Sequence, residues 1–104
     1  MSKGRKLFRQ YFKEMFKKYS IVFDVLTPAA TVMIIIAGEA GAVRESFAKM
    51  YLKKAGVEKL IEKDIMYRHK PDKMTILVLT ERGERIYRAL KEIYSALSGE
   101  YEST

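Results

Sequence analysis

Arg68, His69, Lys70 and Lys73 lie within the six-residue stretch RHKPDK. Cationic groups so close together repel one another unless an anion meets them, and a phosphate oxygen accepts charge-assisted hydrogen bonds from such donors. A second set precedes it. Arg44, Ser46, Lys49 and Lys53 recur at helical spacing, followed by Lys59 and Lys63. Arg and Lys reach phosphates or guanine O6/N7, and Ser suits a phosphate or a base edge. These ten residues are the binding candidates of the chain.

Catalysis has far less to work with. His69 is the single histidine and cysteine is absent, so a nucleophilic triad would have to draw on the basic stretch itself. No His or Cys pair has metal-ligand spacing, and thiolate chemistry and disulfides are ruled out. Gly38-Glu39-Ala40-Gly41 lacks the Gly-Lys-Ser/Thr of a phosphate loop. The residues therefore predict no enzyme, no cofactor and no metal.

Charge distribution narrows the partner. The net charge is +7. Residues 1–20 hold seven Lys/Arg against one Glu, and residues 44–73 hold nine against five acids. The apolar centre, residues 21–43, holds only Asp24 and Glu39. Two basic blocks favour a polyanion, either nucleic acid or an anionic membrane surface. The longest uncharged run, Val25 to Gly38, is shorter than the roughly 20 residues of a membrane span. Arg9, Lys13 and Glu14 interrupt any signal-peptide core at the N-terminus. A single domain over residues 1–104 in a reducing cytoplasm is expected. The absence of Asn and the abundance of Lys and Glu are a weak thermophile signature.

The elements that would hold these residues follow from periodicity. Residues 3–19 predict an amphipathic helix. Leu7, Phe8, Tyr11, Phe12, Met15, Phe16 and Tyr19 share one face, and Arg5, Arg9, Lys13 and Lys17 form a ladder on another. That aromatic face suits a core or a dimer interface, with membrane-surface docking as the rival and phosphate contacts by Arg5 and Arg9 as a further use. Ser20 to Leu26 reads as an apolar connection. Thr27 and Pro28 open a helix that stops near Gly38 or Gly41, although its β-branched run leaves a strand as the alternative. Val43 to Ala55 predicts a helix with Val43, Phe47, Met50 and Tyr51 inward and Glu45, Lys49 and Lys53 outward. Gly56 breaks it, and Val57 to Ile65 predicts a shorter helix. Met66–His69 and Met74–Leu79 read as strands joined by a Pro-Asp turn. Thr80 caps a helix over 81–98, where Ile86, Leu90, Ile93 and Leu97, flanked by Tyr87 and Tyr94, form a narrow coiled-coil-like seam.

The segment LTERGERIYRALKEI resembles the strand-to-helix exit after the wing in MarR-like and PadR-like regulators, small archaeal-style ones included. KLIEKDIMYRHKPDK looks like the end of a recognition helix entering the wing, and LTPAATVMIIIAGEAG resembles the helix before their helix-turn-helix. The resemblance implies a mainly α fold with a small β-hairpin, a winged helix-turn-helix over 26–80, and a homodimer built from its first and last helices. Leu7, Phe8, Tyr11, Phe12, Met15, Ile86, Leu90, Ile93, Tyr94 and Leu97 would then line the dimer. It implies sequence-specific binding of double-stranded DNA by a transcriptional repressor associated with the nucleoid. A protein that spreads along DNA in chromosome architecture or plasmid partition shares these expectations. A membrane-surface or protein-interaction module built on the N-terminal helix belongs to another class. Only 23 residues separate Gly41 from Ile65, so either a shortened first helix or one long helix fills the helix-turn-helix.

Overall fold

The computed structural model describes residues 2–99, with side chains from Leu7 onward; the side chain of Arg5 falls outside them. Its elements are α1 (Ser2–Lys18), α2 (Ser20–Val25), α3 (Pro28–Ala40), β1 (Val43–Arg44), α4 (Glu45–Glu62), β2 (Met66–His69), β3 (Ile76–Leu79) and α5 (Glu81–Ser98). The sheet is antiparallel in the order β1-β3-β2. Two layers result, helices against a small sheet, with Met33, Ile34, Val57, Leu60, Met66 and Leu77 fully buried between them.

α3 resolves the choice between helix and strand. Thr27 Oγ1 accepts from the Ala30 backbone N–H at 3.2 Å, Pro28 occupies the first turn, and Gly41 closes the helix in the left-handed conformation at φ 92°. One cap and one stop outweigh the β-branched run, because Met33, Ile34 and Ala37 gain a buried face only in the helical period.

Several boundaries differ from the sequence reading, among them the start of β3, which begins at Ile76 and not at Met74. Residues 20–25 form a helix instead of a connection: Ser20 Oγ bonds back to the Lys17 carbonyl at 2.8 Å, and burial of Val25 anchors the turn. Val43 and Arg44 form a strand, not a helix start. They pair with Leu77 and Ile76, and β3 supplies the hydrogen bonds that a local helix would have made. The break in α4 lies at Lys53, not at Gly56, which is helical. Finally, α4 ends at Glu62; Asp64 at φ 61° turns the chain, and Ile65 is buried between α4 and α5.

Two side chains expected inward point outward. Met50 and Tyr51 are 67% and 58% exposed. With the helix starting two residues later, Ala48 and Leu52 take the buried positions of the first half. Phe47 is half-buried against the core, as Val43 is fully. The seam of α5 also divides: Ile86 and Leu90 pack on the core of their own chain, while Ile93, Tyr94 and Leu97 are exposed.

The start of α5 is tied to the end of α4. Thr80 Oγ1 accepts from the Gly83 N–H at 3.0 Å and donates to the Asp64 carbonyl at 2.5 Å, and the Thr80 N–H bonds the Ile65 carbonyl at 2.9 Å. A Cβ on Gly83 would stand 2.2 Å from that Ile65 oxygen, so glycine is required for this approach. The Leu-Thr-x-x-Gly sequence thus fixes where strand β2 begins.

Candidate nucleic-acid interface

Lys53 divides α4 into two helical halves, 45–52 and 54–62. Its backbone, at φ 64° and ψ 173°, leaves the helical region for a single residue. Val57 and Leu60 bury one face of the second half and Ile61 is partly buried beside them. Lys54, Ala55 and Glu62 are exposed. Two helices joined by so tight a turn form a helix-turn-helix corner. The short spacing is accommodated by a shortened first helix.

The hairpin β2–β3 follows. Its registers pair Met66 with Leu79 and Arg68 with Leu77. Cross-strand partners share a face and neighbours along a strand alternate. Arg68 therefore projects from the same face as buried Met66, Leu77 and Leu79, at the rim of the core. There it meets both halves of α4. Arg68 Nε donates to Glu45 Oε2 at 2.9 Å, and its Nη2 reaches Glu58 Oε2. Glu45, whose side chain is only 12% exposed, has its carboxyl held below the ordinary value by the Arg68 hydrogen bond, against the opposing effect of burial. The guanidinium is correspondingly harder to deprotonate.

The ten candidates are thereby divided. Arg68 is engaged by two carboxylates. Lys59 reaches both carboxylate oxygens of Asp24 on α2 at 3.2 Å, and Lys49 lies 3.7 Å from Glu45. Arg44 sits at the head of α4, and Ser46 is exposed in the helix's first turn. Lys53 and Lys63 are exposed at the kink and at the C-cap. His69, Lys70 and Lys73 are exposed on the hairpin and its connection. Lys54, a residue not singled out from sequence, joins this set. A break at Gly56 places it in the last turn of the first helix, whereas it opens the second half of α4. Nothing in the sequence pattern marks the break at Lys53, a residue type that disfavours positive φ.

Among solved structures, the chain is similar to the transcriptional repressor BigR from Xylella fastidiosa. The TM-score is 0.51 at 17% identity, over 83% of this chain and 97% of that one. The fold is a winged helix-turn-helix. At that identity the likeness speaks for the fold alone. No family model and no curated protein matches the sequence.

Within the winged helix, α3, β1, the two halves of α4 and the β2–β3 wing succeed one another in chain order. The second half of α4 is the second helix of the helix-turn-helix and leads into the wing. It carries no Arg, Asn or Gln, the side chains that contact guanine or adenine in bidentate fashion. Among the described residues no group of three or more His, Asp or Glu could hold a metal ion, and no helix is long and apolar enough to cross a membrane.

Proposed function

We propose that the protein is a homodimeric winged-helix protein that binds double-stranded DNA and regulates transcription, most simply as a repressor. The observation that carries this reading is a group of cations on the helix-turn-helix and wing that have no ion pair among the described residues. Arg44, Lys53, Lys54, Lys70 and Lys73 belong to the head of α4, the helix-turn-helix turn and the wing. Such groups gain most from phosphate, because each one neutralised releases a condensed counterion. Ser46, Lys63 and His69 extend the surface. Similarity in fold to a transcriptional repressor supports the same use.

The homodimer reading rests on exposed apolar surface. Leu7, Phe8, Tyr11, Phe12 and Phe16 on α1, and Ile93, Tyr94 and Leu97 on α5, are all exposed. The α5 stripe borders a groove of about 520 Å³ that includes Ile35, Leu90 and Tyr94 in its lining. A monomer of this size rarely leaves so much apolar surface in water. Met15, Ile86 and Leu90 are partly buried and would form the base of such an interface.

Duplex binding measured against salt tests the DNA reading. The affinity should fall steeply, and Lys70→Ala and Lys73→Ala should each flatten the logarithmic slope by about 0.9. Absence of binding at low salt, with retention on anionic vesicles, would replace this reading by a membrane-surface one. A second DNA reading has its own support. The second half of α4, with Lys54, Ala55 and Glu62 exposed, has few side chains suited to base edges. This favours a protein that spreads along DNA in an architectural or partition role. Footprinting separates the two: discrete half-sites mark a repressor, extended protection marks spreading.

A further inference from the structure

We infer that Arg68 is a positioning residue that locks the wing to both halves of the helix-turn-helix, and that it is not a phosphate contact. This rests on the DNA reading above and assigns Arg68 a role opposite to the one its charge implies.

The placement is a matter of register. Because Arg68 pairs with Leu77, its side chain leaves the sheet on the core side, where Glu45 and Glu58 take up the guanidinium. Glu45 opens the first half of α4 and Glu58 lies in the middle of the second. Between them the chain passes through the kink at Lys53, a single non-helical residue. One guanidinium therefore spans three segments: β2, the first half of α4 and the second. Arginine suits this task because its planar fork presents several donors in fixed directions, whereas a Lys ammonium is a point charge. The hairpin tip carrying Lys70 and Lys73 extends directly from β2, so the distance between wing cations and the second half of α4 depends on this junction.

A phosphate contact and a strut make opposite predictions for the carboxylates. If Arg68 were held in reserve for phosphate, removing Glu45 and Glu58 would free it, and removing two negative charges would in any case strengthen attraction to DNA. If it is a strut, the same change loosens the wing and weakens binding despite the favourable change in charge.

The test uses the full chain, a duplex probe and three proteins: wild type, Arg68→Ala, and Glu45→Gln combined with Glu58→Gln. Both variants are expected to bind roughly fivefold more weakly, as loss of a modest polar coupling implies, with the wild-type salt slope retained. Hydrogen exchange of the β2–β3 backbone amides in free protein should quicken in both. A slope flattened by about 0.9 in Arg68→Ala, or tighter binding by the double variant, would overturn the inference. Unchanged exchange in both variants would overturn it as well, whether or not DNA binds. Failure of wild type to bind any duplex at low salt would instead remove the DNA reading, leaving the exchange data to decide whether Arg68 couples wing and helices.

Discussion

The ring of Tyr87 rests on the backbone of Gly38: a Cβ added to that glycine would stand 2.5 Å from the ring's Cγ and Cδ1. This contact sets the approach of α5 to α3, and with it the position of the last helix on the core. Gly38→Ala should destabilise the protein by about 1–3 kcal/mol, as overpacking does. For a domain of this size Tm should fall by roughly 4–8 °C per kcal/mol. Thermal unfolding checks this, and an unchanged Tm would mean that α5 is not seated against Gly38.

The same tyrosine carries a pH signature. Its hydroxyl donates to the Glu39 carboxylate, and this bond, with desolvation adding to it, pushes the phenol up to about 12 from 10.0. The protonated phenol is the bonded form. Its contribution is therefore complete below pH 10 and lost as pH rises through 12. Glu39→Gln should return the titration towards 10, measured as phenolate absorbance by difference against Tyr87→Phe.

The acid side has the opposite sign. Glu45 is held below its ordinary 4.5, with the Arg68 hydrogen bond as the largest cause. A depressed carboxylate stabilises the fold above about pH 4.5 and loses that contribution as pH falls through its folded value. Urea midpoints compared between wild type and Glu45→Gln should converge as the pH drops below this range. A constant gap down to the acid limit would argue that the Arg68 bond is absent in solution.

Lys53 occupies backbone space that is nearly reserved for glycine, at φ 64° and ψ 173°. Such residues cost on the order of 1–3 kcal/mol, while glycine's extra chain entropy costs roughly 0.5–1 kcal/mol. Lys53→Gly should therefore stabilise the protein by about 1 kcal/mol, and Lys53→Ala should not. Chemical denaturation of both variants gives the answer, and a glycine variant no more stable than the alanine one would place the turn elsewhere.

Self-association can be tested apart from DNA. Leu97 is 83% exposed, so Leu97→Glu should be nearly neutral for the fold of a monomer. In a dimer joined through α5 it buries a charge and should shift sedimentation towards the monomer. Phe12→Glu makes the same test for α1. A wild-type protein already monomeric at micromolar concentration would leave both apolar faces in need of another partner.

Much of this molecule was legible in its sequence because local chemistry specifies it. Thr27-Pro28 and Thr80 mark helix starts by satisfying backbone donors within a few residues. The Pro-Asp turn marks the hairpin, and the aromatic period marks α1. Alternation along β2 also assigns Arg68 to the face of Met66. What required tertiary structure is what depends on partners distant in sequence. Val43 becomes a strand only because β3 offers it hydrogen bonds, and the break falls at Lys53 because buried Leu52 and Val57 fix the helices on either side. The same holds for the cations. The sequence determined how many there are and where they cluster. Tertiary structure decided which meet a carboxylate, as Lys59 does at Asp24 and Arg68 at Glu45 and Glu58, because a charge pairs with whatever the fold brings within reach.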